Sequence, residues 1–253
     1  MFAISYDAVA SLEAFAAAHR ITYPLLSDEG SRVIRELGLL DTELEAHHAT
    51  FGIKTRDDQR GVPFPVSFVL GADGRVERVL TEENYRVRAG GRRLLAELLG
   101  TSATAPADAP SAMAREAVVS AAIRLDSPTY YAYQRLGLQI ELTIAPGWHI
   151  YGPVTPDGYV PLTVDATSTP EGVRLGPVTW PPTRPFHVAG LDEEFAVYDG
   201  SVRLDVPIEF IIQRDSGEAR LDITIAFQAC SATECFAPTR VAATLVVPES
   251  PTL

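Results

Sequence analysis

Two periods of hydrophobic and polar positions divide this chain. From residue 117 onward apolar side chains recur at alternate positions. In "LDITIAFQA" the residues Leu221, Ile223, Ile225 and Phe227 fall on one face of an extended strand, and "LGLQIELTI", "VRLDVPIEFII" and "TRVAATLVV" alternate or run apolar in the same way. Pro, Gly and Asp clusters separate these runs and helical periodicity is almost absent, which predicts an antiparallel β-sandwich over residues 117–250. The last two runs are predicted to pair as a hairpin with "CSATEC" at its tip.

Before residue 100 the pattern is mixed. "FAIS" and "YPLL" are strand-like. "YDAVASLEAFAAAHRI" places Val9, Leu12, Phe15 and Ala16 on one helical face with Asp7 available as a cap, and "SDEGSRVIRELG" gives a short helix, Val33, Ile34 and Leu37 inward, ended by Gly38. After a polar loop, "VPFPVSFVLGADGRVERVL" predicts two strands around Asp73-Gly74, since both turn positions tolerate positive φ. "RRLLAELLG" closes the region with Leu94, Leu95, Leu98 and Leu99 as an apolar stripe. The order β-α-β-α-β-β-α predicts an α/β domain over residues 1–100. "TSATAPADAPSAMARE", residues 101–116, has no apolar period and reads as a linker.

With 253 residues and 46% hydrophobic content, both domains can bury a core. The net charge of −12 is uneven, 12 basic and 15 acidic groups in residues 1–100 against 9 and 18 in the rest, and argues against a nucleic-acid partner. No run approaches the ~18 apolar residues that cross a bilayer, so no direct membrane insertion is expected, and the N-terminus carries no export signal.

Both cysteines, Cys230 and Cys235, lie in "FQACSATECFAPTR". Three chemistries suit a C-x4-C pair. A zinc site needs four ligands, and His19, His47, His48, His149 and His187 are scattered, none three or four residues from a cysteine. A structural staple would close a very short loop, stabilising by only ~2 kcal/mol. A redox pair at an exposed turn would be reachable by a partner thiol. Glu234, and the acidic run Asp192, Glu193 and Glu194 should it fold over the pair, would disfavour a thiolate, and no Lys, Arg or His neighbour is evident along the chain to offset them.

The stretches "FAISYDAVASLEAFAAAHRITYPLLSD" and "VPFPVSFVLGADGRV" resemble the peroxiredoxin-like AhpC/TSA branch of the thioredoxin fold, over roughly residues 2–99. The resemblance implies an incomplete thioredoxin-like domain in which Pro65, after Phe64, takes the cis form beside the active site. It places the family's reactive cysteine just after a strand upstream of "FAIS", and that absent strand between the "FAIS" and "PVSFVL" strands. No cysteine precedes Cys230, so no peroxidase activity is expected of residues 1–100 as written.

"PGWHIYGP", "FAVYDGSVRLDVPI" and "FQACSATECFAPT" resemble the N-terminal domain of the thiol:disulfide interchange protein DsbD, over roughly residues 117–248. This implies an immunoglobulin-like sandwich outside the cytoplasm. It also implies a cysteine pair that takes electrons from a membrane-embedded donor and passes them to thiol-redox partner proteins, without a cofactor or metal. On the matching positions Cys235 attacks the partner disulfide and Cys230 resolves it. His149 and Tyr151 flank the pair, His149 standing where tyrosine is common, and Phe186 in "RPFHVAGLDEEF" is the candidate cap. The competing function is a non-enzymatic protein-binding sandwich with a structural hairpin disulfide.

The absent strand leads to an expectation about the reading frame: Met1 replaces an internal residue of a longer protein. Sequencing upstream should show an open frame with a cysteine-bearing segment, and an in-frame stop immediately before Met1 would refute it.

Overall fold

Alternation between buried and exposed positions sets the architecture of the second half. In the computed structural model, which describes residues 1–50, 52–81, 86–101, 103–187 and 194–251, the chain divides into two units, residues 1–85 and 86–252. Among the described residues strands dominate, at 43% against 14% helix.

In the first unit, β1 (Ala3–Ser5) and β2 (Leu25–Ser27) pair in parallel, linked through α1 (Val9–Ala18). Next come α2 (Arg32–Glu36), α3 (Leu44–Thr50) and the antiparallel hairpin of β3 (Val66–Leu70) and β4 (Val76–Thr81). Among the described residues the two strand pairs are separate sheets. Of the predicted α1 face only Leu12 is buried. Val9 and Phe15 are exposed, and the Phe15 ring instead lies 4.3 Å from that of His19. Asp7 accepts the Ser5 hydroxyl, one residue before the N-cap Ala8, so it does not cap the helix. Asp28 takes up the orphan first-turn donors of α2, accepting from the Ile34 N–H at 2.9 Å and the Val33 N–H at 3.1 Å. These bonds hold its carboxyl below the ordinary value. The expected polar loop contains α3. The Asp73-Gly74 turn forms with positive φ only at Gly74.

Pro65 does not take the cis form: the cis peptide bond of the described residues is Thr169–Pro170. The approach to Pro65 is held extended, with the Asp41 N–H on the Val62 carbonyl at 3.0 Å and the Phe64 N–H on the Leu39 carbonyl at 2.7 Å. The trans form is the one that X–Pro bonds favour, by about 0.5–1 kcal/mol.

The second unit begins with β5 (Arg88–Ala89) and α4 (Gly91–Leu99), so the "RRLLAELLG" helix lies here, not in the first unit. It is followed by β6 (Ser111–Glu116), β7 (Val119–Leu125), β8 (Gln134–Ile144), β9 (His149–Tyr151), β10 (Thr163–Thr169) and β11 (Val173–Leu175). The remaining strands are β12 (Arg184–His187), β13 (Glu194–Tyr198), β14 (Ser201–Phe210), β15 (Ala219–Phe227), β16 (Ala229–Cys230) and β17 (Thr239–Val247). One sheet runs β11-β14-β8-β7-β6 with β5 added in parallel to β8; a second runs β10-β15-β17. A single cluster of buried side chains drawn from both sheets forms the core, including Leu138, Ile140, Val206, Leu221, Phe227 and Val241. This is the antiparallel sandwich that the period-two pattern predicts. Part of the expected linker is sheet: Ser111–Glu116 pairs along β7, with Ala112 and Ala114 facing the core.

Residues 86–93 are held to the sandwich by polar contacts. The Arg86 guanidinium stands 3.7 Å over the Tyr133 ring, and Arg93 Nη1 donates to Asp205 Oδ1 at 2.9 Å. Gly137 makes room for this arrangement, since a Cβ there would come within 2.5 Å of both Arg93 Nη1 and Asp126 Oδ2. Asp126 is 1% exposed, and among the described residues neither carboxyl oxygen has a hydrogen-bond partner. Burial pushes its pKa up; the Gly137 backbone and the Arg93 charge pull the other way without overcoming burial, and the Asp205 carboxylate adds to the rise.

A carboxyl whose folded-state pKa is raised contributes stability below its unfolded value, and that contribution is lost as pH rises through the folded value. Asp126→Asn should therefore gain on wild type between pH 4.5 and pH 7.5, by about 1.4 kcal/mol for every tenfold by which folding weakens the acid, in denaturant titrations at the two pH values. Leu138→Ala, at a fully buried position between β7 and β14, should lose about 2–5 kcal/mol in the same measurement.

Candidate functional site

The cysteines sit where the chain leaves one sheet for another. β15 pairs with β17 from Ala219↔Val247 to Phe227↔Thr239, as the predicted hairpin. The tip between them turns away: β16 pairs with β9, and β9 with β13, extending a third sheet in the order β12-β13-β9-β16. Gln228 fixes the departure, its side chain accepting from the Val160 N–H at 3.4 Å and donating to the Phe236 carbonyl at 3.2 Å.

Two backbone bonds flank the cysteine pair, Phe236 N–H to the Ala229 carbonyl at 2.9 Å and Ser231 N–H to the Glu234 carbonyl at 2.7 Å. Cys230 and Cys235 therefore stand directly opposite each other, with Cα atoms 4.0 Å apart and sulfurs bonded at 2.01 Å. Non-hydrogen-bonded pairs bring side chains closest, which is what a cross-strand bridge requires. The Ser231 hydroxyl closes the turn, accepting from the Thr233 N–H at 3.2 Å and the Glu234 N–H at 3.1 Å.

The two sulfurs have unlike surroundings. Cys230 is 2% exposed, whereas Cys235 is an exposed residue. Around Cys230 lie Tyr151, Phe195 and Val197, with Tyr159 and Phe186 against them. The Tyr151 hydroxyl is 3.5 Å from Cys230 Sγ. Burial raises the Tyr151 pKa, with Tyr159 adding to it, so the hydroxyl keeps its proton and can donate. Rings interlock at 5.1 Å for Tyr151–Tyr159, 5.6 Å for Tyr151–Phe195 and 4.8 Å for Tyr159–Phe195. Beside them Trp148 stacks on Phe236 at 4.3 Å.

His149 is the direct cross-strand partner of Cys230 and is 3% exposed. Its ring lies 4.0 Å from Phe186 and 6.1 Å from Tyr151. Burial pushes the imidazole pKa down, the Arg184 charge pushes the same way, and Asp199 opposes them. Arg184 and Asp199 are themselves ion-paired. The structure thus sets His149 beside the pair, as the family resemblance implied, although no neighbour along the chain supplies a cation there. The alternation of "WHIY" already put His149 and Tyr151 on one face; what spacing could not show was that "HIY" pairs with "AC".

Phe186 comes from β12, in a hairpin with β13 joined by His187↔Glu194, whose side chains meet at 3.2 Å. Glu194 is thus engaged by His187, while Asp192 and Glu193 lie outside the described residues. Pro65 belongs to the first unit, immediately before β3. Among the described residues no group of three or more His, Cys, Asp or Glu side chains is arranged to hold a metal ion.

Comparison with known proteins bears on both units. The family model for the AhpC/TSA family matches residues 1–79, and that for "Thiol:disulfide interchange protein DsbD, N-terminal" matches residues 116–246. No curated protein matches the chain. Among solved structures, the N-terminal periplasmic domain of ScsB from Proteus mirabilis is similar at 20% identity and TM-score 0.38, over 51% of this chain and 47% of that one. The chain thus spans about half the length of that domain. The reduced DsbD N-terminal domain of Neisseria meningitidis matches at 13% identity and TM-score 0.31, over 56% of this chain and 90% of that one. The complex of the DsbD and PilB N-terminal domains from the same organism matches at 14% and 0.29, over 46% and 81%. Both matched families are thiol-redox families, and since the DsbD match takes in more than half of the sequence, the chain belongs to the family of the N-terminal domain of thiol:disulfide interchange protein DsbD.

Proposed function

We propose that this protein is a thiol:disulfide oxidoreductase working through Cys230 and Cys235, joined to a peroxiredoxin-like module of incomplete thioredoxin fold that has no nucleophile of its own in this sequence. The observation that carries the proposal is the asymmetry of the bridge, one sulfur exposed at a hairpin tip and the other buried among aromatic rings. An incoming partner thiolate can reach Cys235 Sγ. It forms a mixed disulfide there, the Cys230–Cys235 bond breaks, and the electron pair leaves on Cys230 Sγ, where the Tyr151 hydroxyl can donate to it. In the reverse direction the Cys230 thiolate attacks the mixed disulfide at Cys235 and releases the partner thiolate.

The partners are redox proteins with an accessible cysteine pair, in keeping with the family and with the DsbD–PilB complex of N. meningitidis. A membrane-embedded electron donor and a place outside the cytoplasm follow from the same family reading. Phe186 acts as a side wall of the pocket, covering His149 and the Cys230 cluster. The first unit contributes no sulfur chemistry, because both cysteines of the sequence lie in the second.

Reduction under native conditions tests the proposal. The pair should open in excess dithiothreitol without loss of the folded signal. In the single variants, Cys235 of Cys230→Ser should form a mixed disulfide with 5,5′-dithiobis(2-nitrobenzoate) at least about tenfold faster than Cys230 of Cys235→Ser, as access dictates. A bridge that stays closed in the native protein would instead support the protein-binding sandwich with a structural disulfide.

A further inference from the structure

His149 stands across the β9–β16 ladder from Cys230, and directly paired residues of antiparallel strands carry their Cβ atoms about 4.5–5.5 Å apart on the same face. That its side chain faces the sulfur is borne out two residues on, where Tyr151, on the same face, reaches Cys230 Sγ with its hydroxyl. Among the described residues the His149 ring nitrogens make no hydrogen bond, although the residue is 3% exposed. In the oxidised state Cys230, bridged to Cys235, can neither donate a proton nor carry a charge.

We propose that His149 is the proton carrier of the buried sulfur, taking up a proton as the Cys230–Cys235 bond opens and holding it beside the Cys230 thiolate. The inference rests on the exchange reaction proposed above. The partner thiol loses its proton on becoming the attacking thiolate. That thiolate bonds to Cys235 Sγ, the S–S bond breaks toward Cys230 Sγ, and the new anion is matched by one proton gained at the imidazole. On reoxidation the Cys230 thiolate expels the partner thiolate from Cys235, and the proton leaves His149 for the solvent or the departing sulfur.

The surroundings fit a group that is neutral in one redox state and charged in the other. From β12 the Arg184 guanidinium and the Phe186 ring face it, from the end of β13 Asp199, from β16 Cys230, and from its own strand Tyr151. Arg184 and Asp199 are paired with each other, so neither presents a full uncompensated charge. Among the described groups facing it, the thiolate of Cys230 is the anion that opening the bridge creates. Burial and Arg184 hold the imidazole neutral while the bridge is closed. An opposite charge within ~4–6 Å favours the charged form by about 1–3 in pKa, and so acts against burial and Arg184 when the bridge opens.

The test is a pH titration of both redox states of the full chain, for wild type, His149→Phe and His149→Tyr, the last keeping a polar ring on the strand. Thiolate absorbance at 240 nm in the reduced Cys235→Ser background should appear about one pH unit or more lower with His149 than with either replacement. By proton NMR the His149 ring should titrate at least about one pH unit higher in the reduced protein than in the oxidised one. A reduced pair whose thiolate appears at the same pH in all three proteins, with His149 titrating alike in both redox states, overturns the inference and leaves the exchange reaction standing. A pair that cannot be reduced natively removes the exchange reaction itself.

Discussion

The site depends on the pairing of a three-residue strand. β9 is buried at every position and is hydrogen-bonded on one edge to β13 and on the other to β16. Because side chains alternate, Ile150 points into the main sandwich core while His149 and Tyr151 face the cluster around Cys230. One strand thus serves two interiors. A slip of one residue against β16 would set Ile150 against the disulfide and send an imidazole and a phenol into an apolar core with no hydrogen-bond partners. The register is strongly specified for that reason, and with it the identity of the groups that meet the sulfur.

The same register decides which electrostatic effects matter. The exchange chemistry turns on where negative charge rests when the bridge opens, and in the proposed direction it rests on the buried Cys230. Glu234 is exposed, and its repulsion of a charge on Cys235 is reduced by water to about 1 kcal/mol at 4 Å. The net charge of −12 acts on an approaching partner only within a screening length of about 8 Å at physiological salt. The Tyr151 hydroxyl and the His149 ring act inside the protein, where an unmatched charge is far more expensive than at the surface. On the proposed exchange, the Tyr151 hydroxyl at Cys230 therefore acts more strongly than the exposed Glu234.

Much of the sandwich was legible because its strands carry branched and aromatic residues in strict alternation. The face of Leu221, Ile223, Ile225 and Phe227 is buried as read, and β17 has the bounds of the run that predicted it. β6 was missed because Ala112 and Ala114 are its inward residues, too small to stand out as an apolar period. The helix of residues 91–99 reads the same wherever it docks. What assigns it to the second unit is Arg93, whose ion pair with Asp205 spans 112 positions in sequence. At the site, Cys230, Cys235, Tyr151, His149 and Phe186 were all named from the sequence, and the structure brings Cys230, Tyr151, His149 and Phe186 around one buried sulfur. Their mutual arrangement was not legible, because no local rule makes "AC" leave its hairpin to pair with "HIY". The cis form of Pro65 came from resemblance alone, and the backbone bonds around Val62 and Phe64 do not call for it.

The energetics of the bridge are small beside those of the core. Closing a ring of six residues stabilises a protein by about 2 kcal/mol in the chain-entropy account, no more than one buried Leu truncated to Ala. The core holds many such side chains, spread over two sheets and remote in sequence from the tip. Nor does the geometry of the tip rely on the sulfur bond. The Ser231 hydroxyl, the two backbone bonds flanking the cysteines and the Gln228 side chain would each persist with the bridge open. Held by these contacts, a Cys235 freed by reduction stays opposite Cys230, so its resolving thiol remains at the high effective concentration of an intramolecular reaction. A pair that contributes little to stability, and whose placement is held by bonds other than its own, suits the exchange proposed above.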